Sequence, residues 1–361
     1  MKKILVILML VGLGAAQAQD TIQNYIFTPL EEAEVGEVQS QGSTGTCWSY
    51  SCHSFLESEM ARMDKPMVNL SEMYAVYYTY LAKAENYVRR HGKANFDEGS
   101  LGHDVINVLG TEGAVLESSY SGLLDGSERH DHGDMVKALK KYLKKLLKRH
   151  SDGPPANWQD GVKAILNEHL GTPPASGGDF GLNADDYVSF TSFSHHPYYR
   201  SCVVEVPDNW SNGSFYNLPI DELNQLVMHA LKNGYTLTWD GDVSETGFSA
   251  RKSLAVLPAN TSDEGKAAAM NAPGKERNVS QEDRQSAFDA WKLTDDHLMH
   301  ITGVVKDQNG NIYYEIKNSW GKIGPGKGYL YMSEAYFRYG TVSILLHKDG
   351  VPADIKAKLG M

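Results

Sequence analysis

Hydrophobic side chains recur at intervals of three and four residues along much of the first 232 residues of the chain. Shortly after Cys47, for example, Phe55, Leu56 and Met60 fall on one side of a helical wheel. This period is typical of amphipathic α-helices, which bury one face and expose the other. The helices predicted in this part of the chain span residues 48–63, 71–84, 98–112, 135–149, 157–170 and 220–232.

The last third of the chain has a different pattern, in which short apolar and alternating segments indicate β-strands. Asn309-Gly310 separates two of them and is a strong signal for a hairpin turn. Helices followed by an antiparallel sheet predict an α+β fold with two lobes. We expect a mainly helical lobe at about residues 41–232 and a mainly β lobe at about residues 235–350, with residues 20–41 as an extended lead-in. The predicted strands span residues 235–239, 299–305, 312–317, 328–332 and 341–346.

The first 18 residues have the pattern of a secretory signal peptide. Two lysines follow Met1, an apolar run covers residues 4–14, and small residues lead to Ala18. The apolar run is short for a bilayer, so cleavage after Ala18 is favoured over a membrane anchor. The sequence therefore predicts a mature chain of residues 19–361 in the periplasm or the extracellular medium, without integral contact with a membrane.

The formal net charge of -11 argues against a nucleic-acid partner. One segment has the opposite charge, since residues 135–149 form a basic amphipathic helix with Leu139, Leu143 and Leu146 on one face. Such a helix suits either an anionic membrane surface or a solvated position with its leucine face packed against the protein. The second interpretation is favoured.

The chain has three cysteines, Cys47, Cys52 and Cys202, so at least one of them is unpaired. If Cys47 is reactive, Cys52 and Cys202 remain to form a disulfide or to stay as free thiols. The second alternative is favoured because buried free cysteines are common.

The segment from Gln41 to Tyr50 has the physical features of a nucleophile site. Two glycines allow a tight loop to enter a helix, and Cys47 then lies at the helix N-terminus. The helix dipole and the free N–H groups there favour a thiolate, which is the nucleophilic form of cysteine. The backbone N–H of Cys47 and the side-chain amide of Gln41 are candidate donors to an oxyanion.

Two later segments supply candidate partners for Cys47. His297 enters a predicted strand and is a candidate acid and base, and Asn318 is suited to orient its ring. Trp320 is placed to cover that hydrogen bond and exclude water from it. His300 competes with His297 for the role of base, but a packed position within the strand is the favoured interpretation for His300.

These residues resemble the motifs of papain-like cysteine peptidases, in the order cysteine, histidine, asparagine. The resemblance is strongest to the bleomycin hydrolase and aminopeptidase C branch and extends over nearly the whole mature chain. The segments that carry it are Gln41, Cys47-Trp48, Asn69 to Met73, Glu98-Gly99-Ser100, Glu112 to Val115, Leu170 to Pro174, Pro219 to Val243, His297, Asn318 to Gly321 and Gly350 to Asp354.

The resemblance implies a two-lobed papain-like fold with the active site in the cleft between the lobes. It implies that Cys47 is the nucleophile, His297 the general acid and base, Asn318 the orienting residue and Gln41 an oxyanion donor. It implies peptide substrates and no cofactor or metal. The residues that it suggests for substrate binding are Trp48, Gly99, Ser100, Asp296 and Trp320.

In bleomycin hydrolase, a C-terminal tail reaches the cleft and its carboxylate meets the free amine of the substrate. Here the sequence ends soon after the matched segment, at Met361. Acidic residues near Asp97 or in the loop before His297 are candidates for the role of that tail. The sequence favours an aminopeptidase, with an open-cleft endopeptidase and an inert papain-fold binding protein as the alternatives, and it leaves the oligomeric state open.

Overall fold

A computed structural model describes residues 20–124, 126–149 and 153–361. The predicted signal peptide lies outside the described residues. The helices are α1 (Cys47–Arg62), α2 (Glu72–Arg89), α3 (Gly102–Glu112), α4 (Gly133–Arg149), α5 (Gln159–Leu170), α6 (Ile220–Lys232), α7 (Asp263–Ala269), α8 (Gln281–Asp289), α9 (Glu334–Gly340) and α10 (Ala353–Leu359). The strands are β1 (Asp20–Ile22), β2 (Tyr25–Glu32), β3 (Tyr187–Thr191), β4 (Ser201–Val203), β5 (Ser214–Asn217), β6 (Leu237–Gly241), β7 (Phe248–Ser249), β8 (Leu254–Ala255), β9 (His297–Lys306), β10 (Ile312–Lys317), β11 (Tyr329–Ser333) and β12 (Thr341–His347).

The strands form one mixed sheet in the order β4-β5-β3-β12-β6-β9-β10-β11-β8-β7. Strand β9 lies at its centre and is buried over all but its last residue, Lys306. One edge of β9 pairs with β10, and the other pairs first with β6 and then with β2. Helix α1 packs against β9. The sheet is therefore the support on which the histidine of the predicted site is fixed.

The start of α3 differs from the prediction of a helix over residues 98–112. The helix begins at Gly102, and Leu101 before it has the extended angles φ -120° and ψ 165°. The carboxylate of Asp104 accepts from the Leu101 N–H at 3.3 Å and from the Ser100 hydroxyl at 2.6 Å, which ends the extended stretch. Residues 98–101 are thus free to run along the helical wall of the cleft.

Strands β3, β4 and β5 lie inside residues 41–232, the range predicted as mainly helical. They extend the sheet, because β3 pairs with β12 and β5 joins β3 to β4. The pairing of β3 with β5 is parallel, as is that of β11 with β8, so the sheet is not purely antiparallel. Short strands of this kind are stabilised by neighbours distant in the sequence, which a local pattern does not reveal.

Helix α4 carries its leucines inward and its lysines outward. Val136, Leu139, Leu143 and Leu146 are buried, and α4 packs against α5. This is the solvated arrangement favoured by the sequence. No helix within the described ranges is long and apolar enough to cross a membrane.

The cysteines are all free thiols, so Cys52 and Cys202 do not form a disulfide. Cys52 is buried in α1 with its sulfur 3.6 Å from the Gly102 carbonyl, whereas Cys202 lies half-buried on the edge strand β4.

Candidate active site

Cys47 is the first residue of α1 and is almost fully buried. The loop before it turns at Gly42, whose φ of 68° lies in the left-handed region. A Cβ at Gly42 would lie 2.5 Å from the His130 carbonyl oxygen, so only glycine fits there. The backbone N–H of Leu298 points at the Cys47 thiol, which places the sulfur beside the second residue of β9.

Gln41 joins the loop before Cys47 to the segment around Asn318. Its backbone N–H donates to the Ser319 carbonyl at 2.8 Å, and its side-chain oxygen accepts from the Ser319 hydroxyl at 2.6 Å. Its Nε2 donates to the Thr44 carbonyl at 2.6 Å. These bonds fix the amide at the foot of the Cys47 loop.

His297 opens β9 and is held by two side chains. Its Nε2 lies 2.8 Å from Asn318 Oδ1, and this oxygen also accepts from the Ser319 N–H at 2.7 Å. Because Oδ1 accepts, Nε2 carries the ring proton and Nδ1 keeps a lone pair. The Trp320 ring stacks on the imidazole with centroids 4.5 Å apart and shields the bond from water. The structure therefore brings together Cys47, His297, Asn318, Gln41 and Trp320.

The pKa shifts of Cys47 and His297 differ from the expectation of a stable thiolate. Burial raises the pKa of the Cys47 thiol to about 12, since it outweighs the favourable N–H of Leu298. Burial also lowers the pKa of His297 to about 4, although the hydrogen bond to Asn318 acts to raise it. Burial therefore favours the neutral form of both groups, and desolvation is the reason that the helix N-terminus alone does not ionise the thiol.

His300 lies on the other side of β9 and takes no part in the cleft. It is fully buried, and its Nδ1 lies 2.9 Å from Ser54 Oγ, to which Lys317 Nζ also donates at 2.9 Å. Burial and the charge of Lys317 hold the pKa of His300 well below its ordinary value. The structure thus places His300 in the packed position that the sequence favoured.

Two residues predicted to bind substrate are instead buried supports. Trp48 is 1% exposed, and its Nε1 donates to the Glu98 carbonyl at 3.1 Å. Ser100 is also 1% exposed, because Asp104 and Trp210 use its hydroxyl at 2.6 and 2.8 Å. Both side chains hold the wall of the cleft from behind, so that prediction is corrected.

The other candidates on the cleft walls have distinct positions. Gly99 follows Glu98 on the helical wall, next to the Cys47 loop, where Glu98 Oε2 accepts from the Gly45 N–H at 2.6 Å. Asp296 is exposed and accepts from the Val243 N–H and the Thr294 hydroxyl, which fixes the loop before His297. Asp97 forms an exposed ion pair with Lys140 at 2.8 Å, so its carboxylate is engaged on the surface.

Three carboxyl side chains near the thiol, Asp208, Asp240 and Asp295, are here called the carboxyl pocket. Asp295 belongs to the acidic loop before His297 that the sequence suggested, whereas Asp208 and Asp240 were not predicted. The negative charges of all three raise the pKa of Cys47. Asp240 and Asp295 are hydrogen-bonded to each other, and burial raises the pKa of Asp240 to about 7 and that of Asp295 well above its ordinary value. Only the Asp-Asp-His sequence before β9 gave a signal, since Asp208 and Asp240 come from distant segments.

One group of side chains within the described ranges has the geometry to hold a metal ion: His195, His196 and Glu205. The Nε2 atoms of both histidines lie 3.1 Å from the carboxylate. However, Gln285 Nε2 donates to His195 Nδ1 at 2.9 Å, while its Oε1 accepts from the Ser194 N–H. This leaves the proton of His195 on Nε2, so the group is a hydrogen-bonded cluster and not a preformed metal site.

Comparison with known proteins decides the family. A model described as the peptidase C1-like family matches residues 178–361, which is more than half of the chain. The chain belongs to the peptidase C1-like family. The matched residues include His297 and Asn318, whereas Cys47 lies before them. The protein is thus a cysteine peptidase and a hydrolase, as the sequence predicted.

Individual relatives of this peptidase agree with the predicted branch. Aminopeptidase G of Lactobacillus delbrueckii subsp. lactis is 23% identical over 90% of this chain and 83% of that protein. Bleomycin hydrolase of Mus musculus is 25% identical over 49% of this chain and 39% of that protein. The prediction of the bleomycin hydrolase and aminopeptidase C branch is confirmed.

The fold of this peptidase matches a crystal structure of PepW from Lactobacillus rhamnosis HN001. The two agree with a TM-score of 0.72 at 20% identity, over 92% of this chain and 84% of that chain. The α+β papain-like fold predicted from the sequence is confirmed.

Proposed function

We propose that this peptidase is a cysteine aminopeptidase in which Cys47 attacks the substrate, His297 transfers protons and Asn318 orients His297. The observation that carries the proposal is the 2.8 Å hydrogen bond from His297 Nε2 to Asn318 Oδ1 under Trp320. His297 is the first residue of β9. This strand packs against α1, and the first residue of α1 is Cys47. The aminopeptidases among the relatives support cleavage at the N-terminus of peptides.

The reaction begins with transfer of the thiol proton to His297 Nδ1. A thiolate beside an imidazolium is a pair of opposite charges in contact, so the two groups ionise together more readily than either does alone. The thiolate attacks the scissile carbonyl carbon, and His297 returns the proton to the leaving amine as the thioester forms. Water that loses a proton to His297 then releases the acyl group and restores the thiol.

The oxygen that becomes negative during attack has two donors. The backbone N–H of Cys47 is at the start of α1 and has no acceptor within the helix. Gln41 Nε2 carries two hydrogens, of which one goes to the Thr44 carbonyl and the other remains for the substrate. Removing one such donor typically lowers kcat by ~10²–10³-fold.

The test of the nucleophile is the variant Cys47→Ala, assayed with leucyl-coumarin amide and its N-acetylated form. Activity on the free-amine substrate should fall by ~10⁴-fold or more, because no other group replaces the thiolate. The matched control is Cys202→Ala, which removes a half-buried thiol on β4 and should keep activity within about twofold of the wild type. Retained activity in Cys47→Ala, or a wild type that cleaves only the acetylated substrate, would contradict the proposal.

We also propose that this peptidase is exported by its first 18 residues and acts on peptides outside the cytoplasm. The two lysines after Met1, the apolar run over residues 4–14 and the small residues up to Ala18 support cleavage after Ala18. Mass spectrometry of the N-terminus of the protein from its native host should find Gln19 as the first residue. An intact N-terminus in the cytoplasmic fraction is the contrary result.

A further inference from the structure

Asp208 lies directly against Gly99 on the helical wall of the cleft. A Cβ built on Gly99 would be 1.8 Å from Asp208 Oδ2 and 2.3 Å from its carboxyl carbon. Only a residue without a side chain permits this contact. The carboxylate therefore occupies the space directly beside the Gly99 backbone.

The turn that carries Asp208 is fixed to the wall by side chains on both sides. Asn95 Nδ2 donates to the Pro207 carbonyl at 3.0 Å and to Asp208 Oδ1 at 3.1 Å. Trp210 Nε1 donates to Ser100 Oγ at 2.8 Å. Among the residues that the structure describes, none donates a hydrogen bond to Asp208 Oδ2. The position of Asp208 is thus preorganised, and one of its oxygens is left for a ligand.

The buried ammonium of Lys83 holds the backbone of the segment that Asp208 packs against, and its charge acts on Asp208. Lys83 Nζ donates to the Asp97 carbonyl at 2.7 Å and to the Gly99 carbonyl. Its charge favours the ionised form of Asp208, against the burial that raises the pKa of that carboxyl. Lys83 therefore helps Asp208 to remain an anion that can bind a cation.

The opposite wall carries a pair of carboxyl groups that receive few donors from the protein. Asp240 is 1% exposed on β6, and its Oδ2 accepts from the Ser343 hydroxyl at 3.0 Å. Asp240 Oδ1 and Asp295 Oδ2 are buried and have no donor within the described part of the chain. A pair of buried carboxyl groups needs a proton or a cation between its oxygens.

We propose that the carboxyl pocket of Asp208, Asp240 and Asp295 binds the α-ammonium group of the substrate, and that Asp208 excludes any residue preceding it. The inference rests on the proposed function and names the group that this site recognises. Peptides and aminoacyl amides with a free N-terminus are the substrate class, and one residue is released at a time.

The dimensions of a peptide agree with this assignment. The amine nitrogen and the carbonyl carbon of one residue are joined by two bonds, N–Cα and Cα–C, and lie ~2.5 Å apart. Carboxylates that bind the amine must therefore lie close to the sulfur that attacks the carbonyl. All three members of the carboxyl pocket are near enough for their charges to act on the Cys47 thiol.

The same carboxylates could instead receive the lysine or arginine side chain of a longer substrate, since both carry a cation. The contact between Asp208 and Gly99 favours the N-terminal ammonium, because the carboxylate fills the space beside the Gly99 backbone. An assay with four coumarin amides distinguishes an N-terminal ammonium from a side-chain cation. The four substrates are leucyl-, acetyl-leucyl-, glycyl-leucyl- and acetyl-lysyl-leucyl-coumarin amide.

The decisive variant is Asp208→Asn, which keeps the size of the side chain. A charge-assisted hydrogen bond contributes about 1.5–3 kcal/mol, so KM for leucyl-coumarin amide should rise about 10–100-fold with a smaller change in kcat. The preference for leucyl- over acetyl-leucyl-coumarin amide should fall by the same factor. The rate at which iodoacetamide alkylates Cys47 should stay within about threefold, which shows an intact site.

The matched control is Asp354→Asn, which removes an exposed carboxylate from α10 and should leave KM unchanged. An unchanged preference for the free amine in Asp208→Asn overturns the inference, as does an equal loss on free and acetylated substrates. A wild type that prefers acetyl-lysyl-leucyl-coumarin amide also overturns it. A wild type that cleaves no free-amine substrate contradicts the proposed function itself.

Discussion

Buried carboxyl side chains form two groups near β9, and the groups differ in which of their members a buried ammonium reaches. In the carboxyl pocket, Asp240 and Asp295 are hydrogen-bonded to each other next to Asp208 and the Cys47 thiol. In the second group, here called the lysine cluster, the Lys317 ammonium lies near Glu57 and Glu72. Lys317, Glu57 and Glu72 are all at most 6% exposed.

We assign a structural role to the lysine cluster and a role in substrate recognition to the carboxyl pocket. Glu57 accepts from the Leu70 N–H at 3.0 Å, and the charge of Lys317 lowers its pKa against the stronger effect of burial. The lysine cluster thus contains a cation of its own, although burial still raises the pKa of Glu57 to about 7. In the carboxyl pocket the charge of Lys83 acts on Asp208, whereas the charges that act on Asp240 and Asp295 are those of other aspartates, at a place where the substrate brings a cation.

The largest expected effect comes from Asp240→Asn, which removes the raised pKa from the carboxyl pocket. In the wild type, Asp240 has a folded pKa of about 7, against about 3.9 in the unfolded chain. The folded protein therefore holds an additional proton between these values, and stability is lost as pH rises from about 4 to 7. Over this range Asp240→Asn should lose about 3 kcal/mol less stability than the wild type.

Urea unfolding at pH 4.5, 6 and 7.5 measures this difference. The matched control is Asp354→Asn, which removes an exposed carboxylate from α10 and should lose as much stability over this range as the wild type. If the free energy of unfolding of Asp240→Asn changes with pH in the same way as that of the wild type, then the pKa of Asp240 is not raised in the folded protein.

A second variant, Asp295→Lys, places an ammonium next to Asp240, on which the charges of other aspartates act in the wild type. Its ammonium should occupy Asp208 and Asp240 and compete with the substrate amine. A loss of ~100-fold in kcat/KM for leucyl-coumarin amide is expected, which corresponds to about 2.7 kcal/mol. Activity on acetyl-leucyl-coumarin amide should change less.

Kinetics of both substrates, with alkylation of Cys47 as the check on folding, decide the outcome. The matched variant Asp295→Asn removes the charge without adding a cation and should lose less activity than Asp295→Lys. Equal losses in the two variants would show that the introduced ammonium does not compete with the substrate.

The smallest effect is expected from Lys317→Met, which removes the cation from the lysine cluster. Glu57 and Glu72 then lose a favourable charge, and a loss of about 2 kcal/mol in the free energy of unfolding is expected. The loss should be larger at pH 8 than at pH 6, because ionised carboxyl groups are then left without a cation. Urea unfolding of the wild type and the variant at the two pH values tests this prediction. An equal loss relative to the wild type at pH 6 and pH 8 would contradict a stabilising role for the charge of Lys317.

The local parts of the site were predictable from the sequence, whereas the carboxyl pocket was not. The glycine loop before Cys47 and the Asn318-Ser319-Trp320 segment each have their structure encoded in adjacent residues. Asp240 meets the site only because β6 pairs with β9, in a register that sets Asp240 opposite Leu298. Because strand pairing depends on the whole sheet, the local sequence around Asp240 does not predict it.

Burial was the other property that the sequence did not reveal. Trp48 and Ser100 lie in the correct segments, yet their side chains face the protein interior and hold the wall in place. The effect of burial on the Cys47 thiol was missed for the same reason, since a helix N-terminus is visible in a sequence and desolvation is not. The fold class was easier, because it follows from long helical periods and from strands bounded by clear turns.

The placement of His297 at the start of β9 also has a consequence for how this peptidase can change over time. β9 is hydrogen-bonded to strands on both sides, so its amides should exchange with solvent only when the whole domain unfolds. Asp208 belongs to the turn that connects β4 and β5, and these two strands lie at one edge of the sheet. Mutation can therefore alter which peptide ends are accepted by remodelling that turn, while the machinery that breaks the bond is inherited unchanged.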